Sequence, residues 1–77
     1  MPTRKPESCP HRVRLGKNVA ALRGRRDMTQ EELAEKIGVS ARYVQNVEAG
    51  DNFPSLPTLV HLRDALCCGW QDLFAGL

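Results

Sequence analysis

An all-α fold of five short helices is predicted for this 77-residue chain by three observations: apolar residues at helical spacing, cap residues ahead of them, and turn residues between them. Leu15, Val19 and Leu22 recur at that spacing and open the first helix near His11 or Arg12, with Pro10 just outside it and Gly24 weakening its end. Thr29 is an N-cap, and Glu32 three residues on is placed to reach back to its amide, a capping box that starts a second helix over Gln30–Ile37. Gly38 ends that helix, because glycine takes positive φ without Cβ strain, and Ser40 caps a third over Ala41–Ala49. The run Gly50-Asp51-Asn52-Phe53-Pro54 then breaks the chain. Ser55 caps a fourth helix in which Pro57 is tolerated in the first turn and Leu59, Leu62 and Leu66 form the buried stripe. Trp70, Leu73 and Phe74 make a short fifth helix or turn. There is no repeat or low-complexity segment.

The second and third helices carry the functional signal. Joined by so short a connection, they meet close to the turn, so the contact face of the second needs a small residue, which Ala34 supplies. Val44 and Val47 are the opposing knobs, which leaves Ala41, Arg42, Gln45 and Asn46 as an outward row of mostly hydrogen-bonding side chains. Two helices crossing steeply with one polar face left free is the layout of a DNA-binding helix-turn-helix. Arg42 suits the O6 and N7 of a guanine, Gln45 or Asn46 suits an adenine edge, and Ala41 is short enough to touch a thymine methyl. Tyr43 on the helix flank, Gln30 in the first turn of its helix and Asn52 after the third helix suit backbone phosphates.

Thr29, Gln30, Glu32, Leu33, Ala34, Ile37, Gly38, Val39, Ser40, Val44, Val47, Glu48 and Gly50 together resemble the phage repressor and Cro type of helix-turn-helix regulator. Leu22-Arg23 looks like the end of that family's first helix, and residues 52–59 and 66–74 look like its fourth and fifth, so the resemblance spans roughly residues 12–74. It implies a compact five-helix, repressor-like DNA-binding domain. It also implies that Arg23 and Glu48 pair between the first helix and the end of the third, holding the recognition helix in orientation. The chain departs from the family pattern at three positions. Cys67 stands where a glycine is usual and would have to take a left-handed cap conformation, Cys68 takes the place of an apolar residue, and Arg63 stands where alanine is common.

Net charge is only +2, yet residues 1–26 carry eight basic side chains against Glu7 alone, while the remainder holds three basic and eight acidic residues. Residues 1–11 are therefore expected to be a flexible basic arm able to lie along phosphates, with residues 12–77 as the DNA-binding domain. No apolar stretch approaches the ~18 residues of a membrane span, and no apolar run follows the basic N-terminus as in a secretory signal. A reducing, cytoplasmic setting is expected, bacterial or phage-encoded and associated with the nucleoid.

Catalysis lacks parts: His11 and His61 are the only histidines, no nucleophile motif is present, and there is no glycine-rich phosphate loop. Neither a cofactor nor a metal is expected, because Cys9-Pro10-His11 and Cys67-Cys68 do not have zinc-ligand spacing. The expected function is sequence-specific binding of double-stranded DNA, as a repressor, by a homodimer on a pseudo-palindromic operator, since one recognition helix covers too few base pairs. The alternative is a partner-binding module, such as an antitoxin or coactivator-like protein of the same fold, with Trp70, Leu73, Phe74 and Leu77 as its grip.

Overall fold

The computed structural model describes residues 10–77. They form α1 (Pro10–Arg25), α2 (Gln30–Ile37), α3 (Ala41–Ala49), α4 (Leu56–Leu66) and α5 (Trp70–Leu73), with no strand among them. Most of the expected N-terminal arm, residues 1–9, lies outside the described residues, and its last two members belong to α1. Pro10 is the first helical residue rather than the one outside, because its missing N–H falls among the amides that no helix can pair.

Leu15, Val19 and Leu22 of α1 and Leu59, Leu62 and Leu66 of α4 face Leu33, Ala34 and Ile37 of α2 and Val44 and Val47 of α3, and Leu73 of α5 completes this single cluster. No polar or charged residue among those described is buried with them. A core this small is marginal by itself, so the way helix ends are tied to one another matters.

The turn between α2 and α3 is closed at both ends. Thr29 Oγ1 accepts from the Glu32 amide at 3.0 Å, and Glu32 Oε1 accepts from the Thr29 amide at 2.8 Å. Gly38 ends α2 at φ 77°, after which the Val39 amide donates back to the Ala34 carbonyl at 3.0 Å. Ser40 Oγ accepts from the Tyr43 amide at 3.1 Å, so only three residues separate the helices.

Helix α1 fixes the far end of α3. A Cβ at Gly16 would overlap the Val47 carbonyl oxygen and stand 2.6 Å from the Glu48 carbonyl oxygen, all rigid backbone. Two turns along the same face of α1, Arg23 grips Glu48, with Nε to Oε2 at 2.7 Å and Nη2 to Oε1 at 3.1 Å. Arg23 Nη1 also donates to the Met28 carbonyl at 2.7 Å, and Gln30 Nε2 donates to Glu48 Oε1 at 2.8 Å. The Glu48 side chain is 8% exposed and that of Arg23 20%. Hydrogen bonding to Glu48 raises the affinity of Arg23 for its proton, against the opposing effect of burial.

Three more ties lie beyond what the sequence suggests. Asp27, at φ 55°, performs after α1 the left-handed turn that glycine usually performs, and the Met28 amide returns to the Arg23 carbonyl. Arg26 donates to the carbonyls of Leu66 and Cys67 at 3.2 and 3.3 Å, holding the end of α4, where Cys67 is left-handed at φ 51°. Asn18 Nδ2 donates to the Leu73 and Ala75 carbonyls at 2.9 and 2.8 Å, holding the end of α5. Ser55 occupies the N-cap of α4, but no backbone amide donates to its side chain; its hydroxyl meets that of Thr58 at 3.2 Å instead.

Two stability outcomes are expected in chemical denaturation. Gly16→Ala should lose about 1–3 kcal/mol by overpacking a rigid backbone contact, whereas Gly24→Ala, with nothing within 4 Å of the added carbon, should gain about 0.5 kcal/mol of helix propensity. Glu48→Ala should cost about 2 kcal/mol by leaving Arg23 and Gln30 without their acceptor, against ~0.5 kcal/mol or less for the exposed Glu35→Ala. A loss at Glu48 as small as that at Glu35 would show the pair to be energetically idle.

Candidate nucleic-acid interface

The face of α3 opposite Val44 and Val47 presents Arg42 and Gln45 to solvent, with Ala41 and Asn46 half-buried at its edges. These four occupy the first two turns, the part of a recognition helix that meets base edges when the helix lies in a major groove. Neither Arg42 nor Gln45 is held by a hydrogen bond to another described side chain, so both heads are available to a ligand. Tyr43 is half-buried against the core with its amide spent on the Ser40 cap, which places it on the flank of α3.

Gln30 stands at the start of α2 and is tied to the carboxylate of Glu48. That bond uses one of its two amide hydrogens and holds the side chain beside α3. Glu31 and Glu32 share the first turn, and Glu32 is already committed to the capping box. Asn52 is half-buried in the loop that follows the left-handed Gly50 cap, where the Asp51 amide returns to the Asn46 carbonyl at 2.9 Å.

Arg12 is not among the residues that the sequence marks for a site, and α1 brings it to that same loop. Its Nη1 donates to the Asp51 carbonyl at 3.3 Å, 39 residues away in the chain. No local pattern signals such a contact; the only hint was the basic character of the segment.

The C-terminal aromatic group is largely consumed by packing. Leu73 is fully buried, and Trp70 stacks on Phe74 with ring centroids 5.3 Å apart. Arg63 lies over Trp70 with its guanidinium carbon 4.9 Å from the ring centroid, so its head rests on the aromatic face. Leu77 is 39% exposed. Cys67 is exposed and Cys68 half-buried; burial, helped by Asp72, pushes the Cys68 thiol up. No group of three or more metal-ligating side chains, and no helix long and apolar enough to cross a membrane, occurs among the described residues.

Comparison with known proteins agrees with this geometry. The family model described as helix-turn-helix matches residues 19–72. An HTH-type transcriptional regulator of Sinorhizobium fredii, y4dJ, is 38% identical over 52 residues, covering 68% of each chain. The immunity repressor of Bacillus phage phi105 is also 38% identical over 52 residues, which make up 68% of this chain and 36% of that larger protein. Among solved structures, the restriction-modification controller protein C.AhdI from Aeromonas hydrophila superposes with a TM-score of 0.76 at 34% identity, covering 80% of this chain and 94% of that one. A five-helix domain with its α2–α3 turn capped at both ends, its α3 face free and relatives of this kind belongs to the helix-turn-helix family of Cro/C1-type, DNA-binding transcriptional regulators.

Proposed function

We propose that this regulator is a sequence-specific repressor that binds as a homodimer to a pseudo-palindromic operator in the compartment that holds the DNA. The observation that carries this reading is the pair of free polar heads, Arg42 and Gln45, on a helix whose other face is locked by Val44, Val47 and the Glu48 contacts. A rigid mount matters because a bidentate contact to a base edge depends on the donor being held in place before binding.

Arg42 forks onto the O6 and N7 of a guanine, Gln45 or Asn46 pairs with an adenine edge, and Ala41 rests against a thymine methyl. Gln30, through its remaining amide hydrogen, and Tyr43 and Asn52 hold phosphates on either side and set the depth of α3 in the groove. One such helix covers only a few base pairs, so two protomers related by a two-fold axis, with half-sites ~10 bp apart, supply the selectivity that one cannot. Repression follows from occupancy of a promoter, and the phage relative is named an immunity repressor.

The test is selection of bound sequences from a random duplex library at near-physiological salt, with wild type and Arg42→Ala in parallel. The expected result is a two-fold repeated motif whose preferred guanine is lost in the variant, with about 1–3 kcal/mol less discrimination at that position. Weak binding without any motif, collapsing steeply as salt rises, would overturn the reading and favour a protein-partner role for the fold.

A further inference from the structure

The loop between α3 and α4 follows the reading helix directly, and the chain has no lysine or arginine from residue 43 to residue 62. A helix inserted by its N-terminal residues leaves its C-terminal end and the next loop at the groove edge, beside the phosphates. This loop thus meets a polyanion without a cation of its own. Helix α1 brings one to it. A Cβ placed at Gly50, the cap of α3, would stand 3.1 Å from Val13 Cα, so the first turn of α1 lies against the start of the loop. Arg12, the preceding residue, docks its Nη1 on the Asp51 carbonyl.

The state of that guanidinium is unusual. Arg12 is half-buried, and its Nε is sealed from solvent without an acceptor among the described residues. Its one hydrogen bond is the 3.3 Å contact to a neutral carbonyl, and among the described residues it forms no ion pair, whereas Arg23 and Arg63 each have a carboxylate. A partly dehydrated cation left with unused donors is unfavourable until an anion with matching fork geometry arrives, and a phosphodiester is such an anion. Asn52, next along the loop from Asp51, adds a neutral carboxamide to the same loop.

Resting on the DNA-binding reading above, we infer that Arg12 and Asn52 form a two-element clamp for one DNA backbone phosphate, with α1 supplying the charge that the α3–α4 loop lacks. The clamp carries no base preference and sets how the C-terminal end of α3 is seated against the groove edge.

The experiment measures the affinity of the full chain for a selected duplex and for a random-sequence duplex across a range of salt concentrations, comparing wild type, Arg12→Gln, Arg12→Lys and Arg63→Gln. Arg12→Gln should bind both duplexes on the order of tenfold more weakly, and the slope of log affinity against log salt should fall by about 0.9 per protomer. Arg12→Lys, which keeps the charge, should restore most of the slope, and Arg63→Gln, with the same loss of charge elsewhere, should leave it nearly unchanged. Thermal melting accompanies each variant. An unchanged slope in Arg12→Gln, an equal change in Arg63→Gln, or a slope that stays shallow in Arg12→Lys would each overturn the clamp. The random-sequence arm separates this outcome from failure of specific recognition, since the slope is measurable even where wild type prefers no motif.

Discussion

The backbone contact between α1 and the last turn of α3 is the constraint on which the rest of this domain depends. Gly16 lets the two helices touch at the carbonyls of Val47 and Glu48, and only at that spacing does Arg23 reach the Glu48 carboxylate with two parallel bonds. The same carboxylate accepts from Gln30, so the start of α2, the end of α3 and the last turn of α1 converge on one side chain. A half-buried pair of this kind adds modest net stability but is costly to break on one side, which makes it better suited to fixing an orientation than to strengthening a fold. The orientation fixed is that of the helix whose free face carries Arg42 and Gln45.

The elements that could be read from the sequence are those whose signal is local. Thr29 with Glu32, Gly38 and Ser40 act within a few residues of themselves, so α2, α3 and the turn between them follow from spacing alone. The leucine stripes of α1 and α4 are equally local. What stayed hidden depends on residues brought together from far along the chain: Gly16 against α3, Asn18 on the end of α5, Arg26 on the end of α4, and Arg12 on the α3–α4 loop. Pairwise geometry of that kind leaves no periodicity. Arg23 with Glu48 is the instructive exception, visible only because a family resemblance carried the pairing, and even so the third partner, Gln30, was assigned to phosphate alone.

The purely apolar core shows how so short a chain divides its work. With no polar residue among those described buried inside the apolar cluster, no network has to be satisfied within it, and its leucines and valines contribute without a desolvation penalty. Polar side chains act at the periphery instead, where Asn18, Arg26 and Arg23 each donate to the carbonyls that end a helix or a turn. Those carbonyls have no intrahelical donor, and a side chain that satisfies one also ties two elements together. Cys67 shows the limit of the economy, since it holds a left-handed conformation in which glycine would be less strained.

The cluster of Arg63, Trp70 and Phe74 gives the molecule an internal optical probe. Trp70 is the sole tryptophan, its ring touched by a guanidinium and stacked on a second aromatic ring, on a helix that rests chiefly on α1 rather than on α3. Its emission therefore reports the closure of the C-terminal end of the domain, with no competing fluorophore of its kind. A chain of this size thus carries, without any added label, a reporter of tertiary packing that stands apart from the free face of α3.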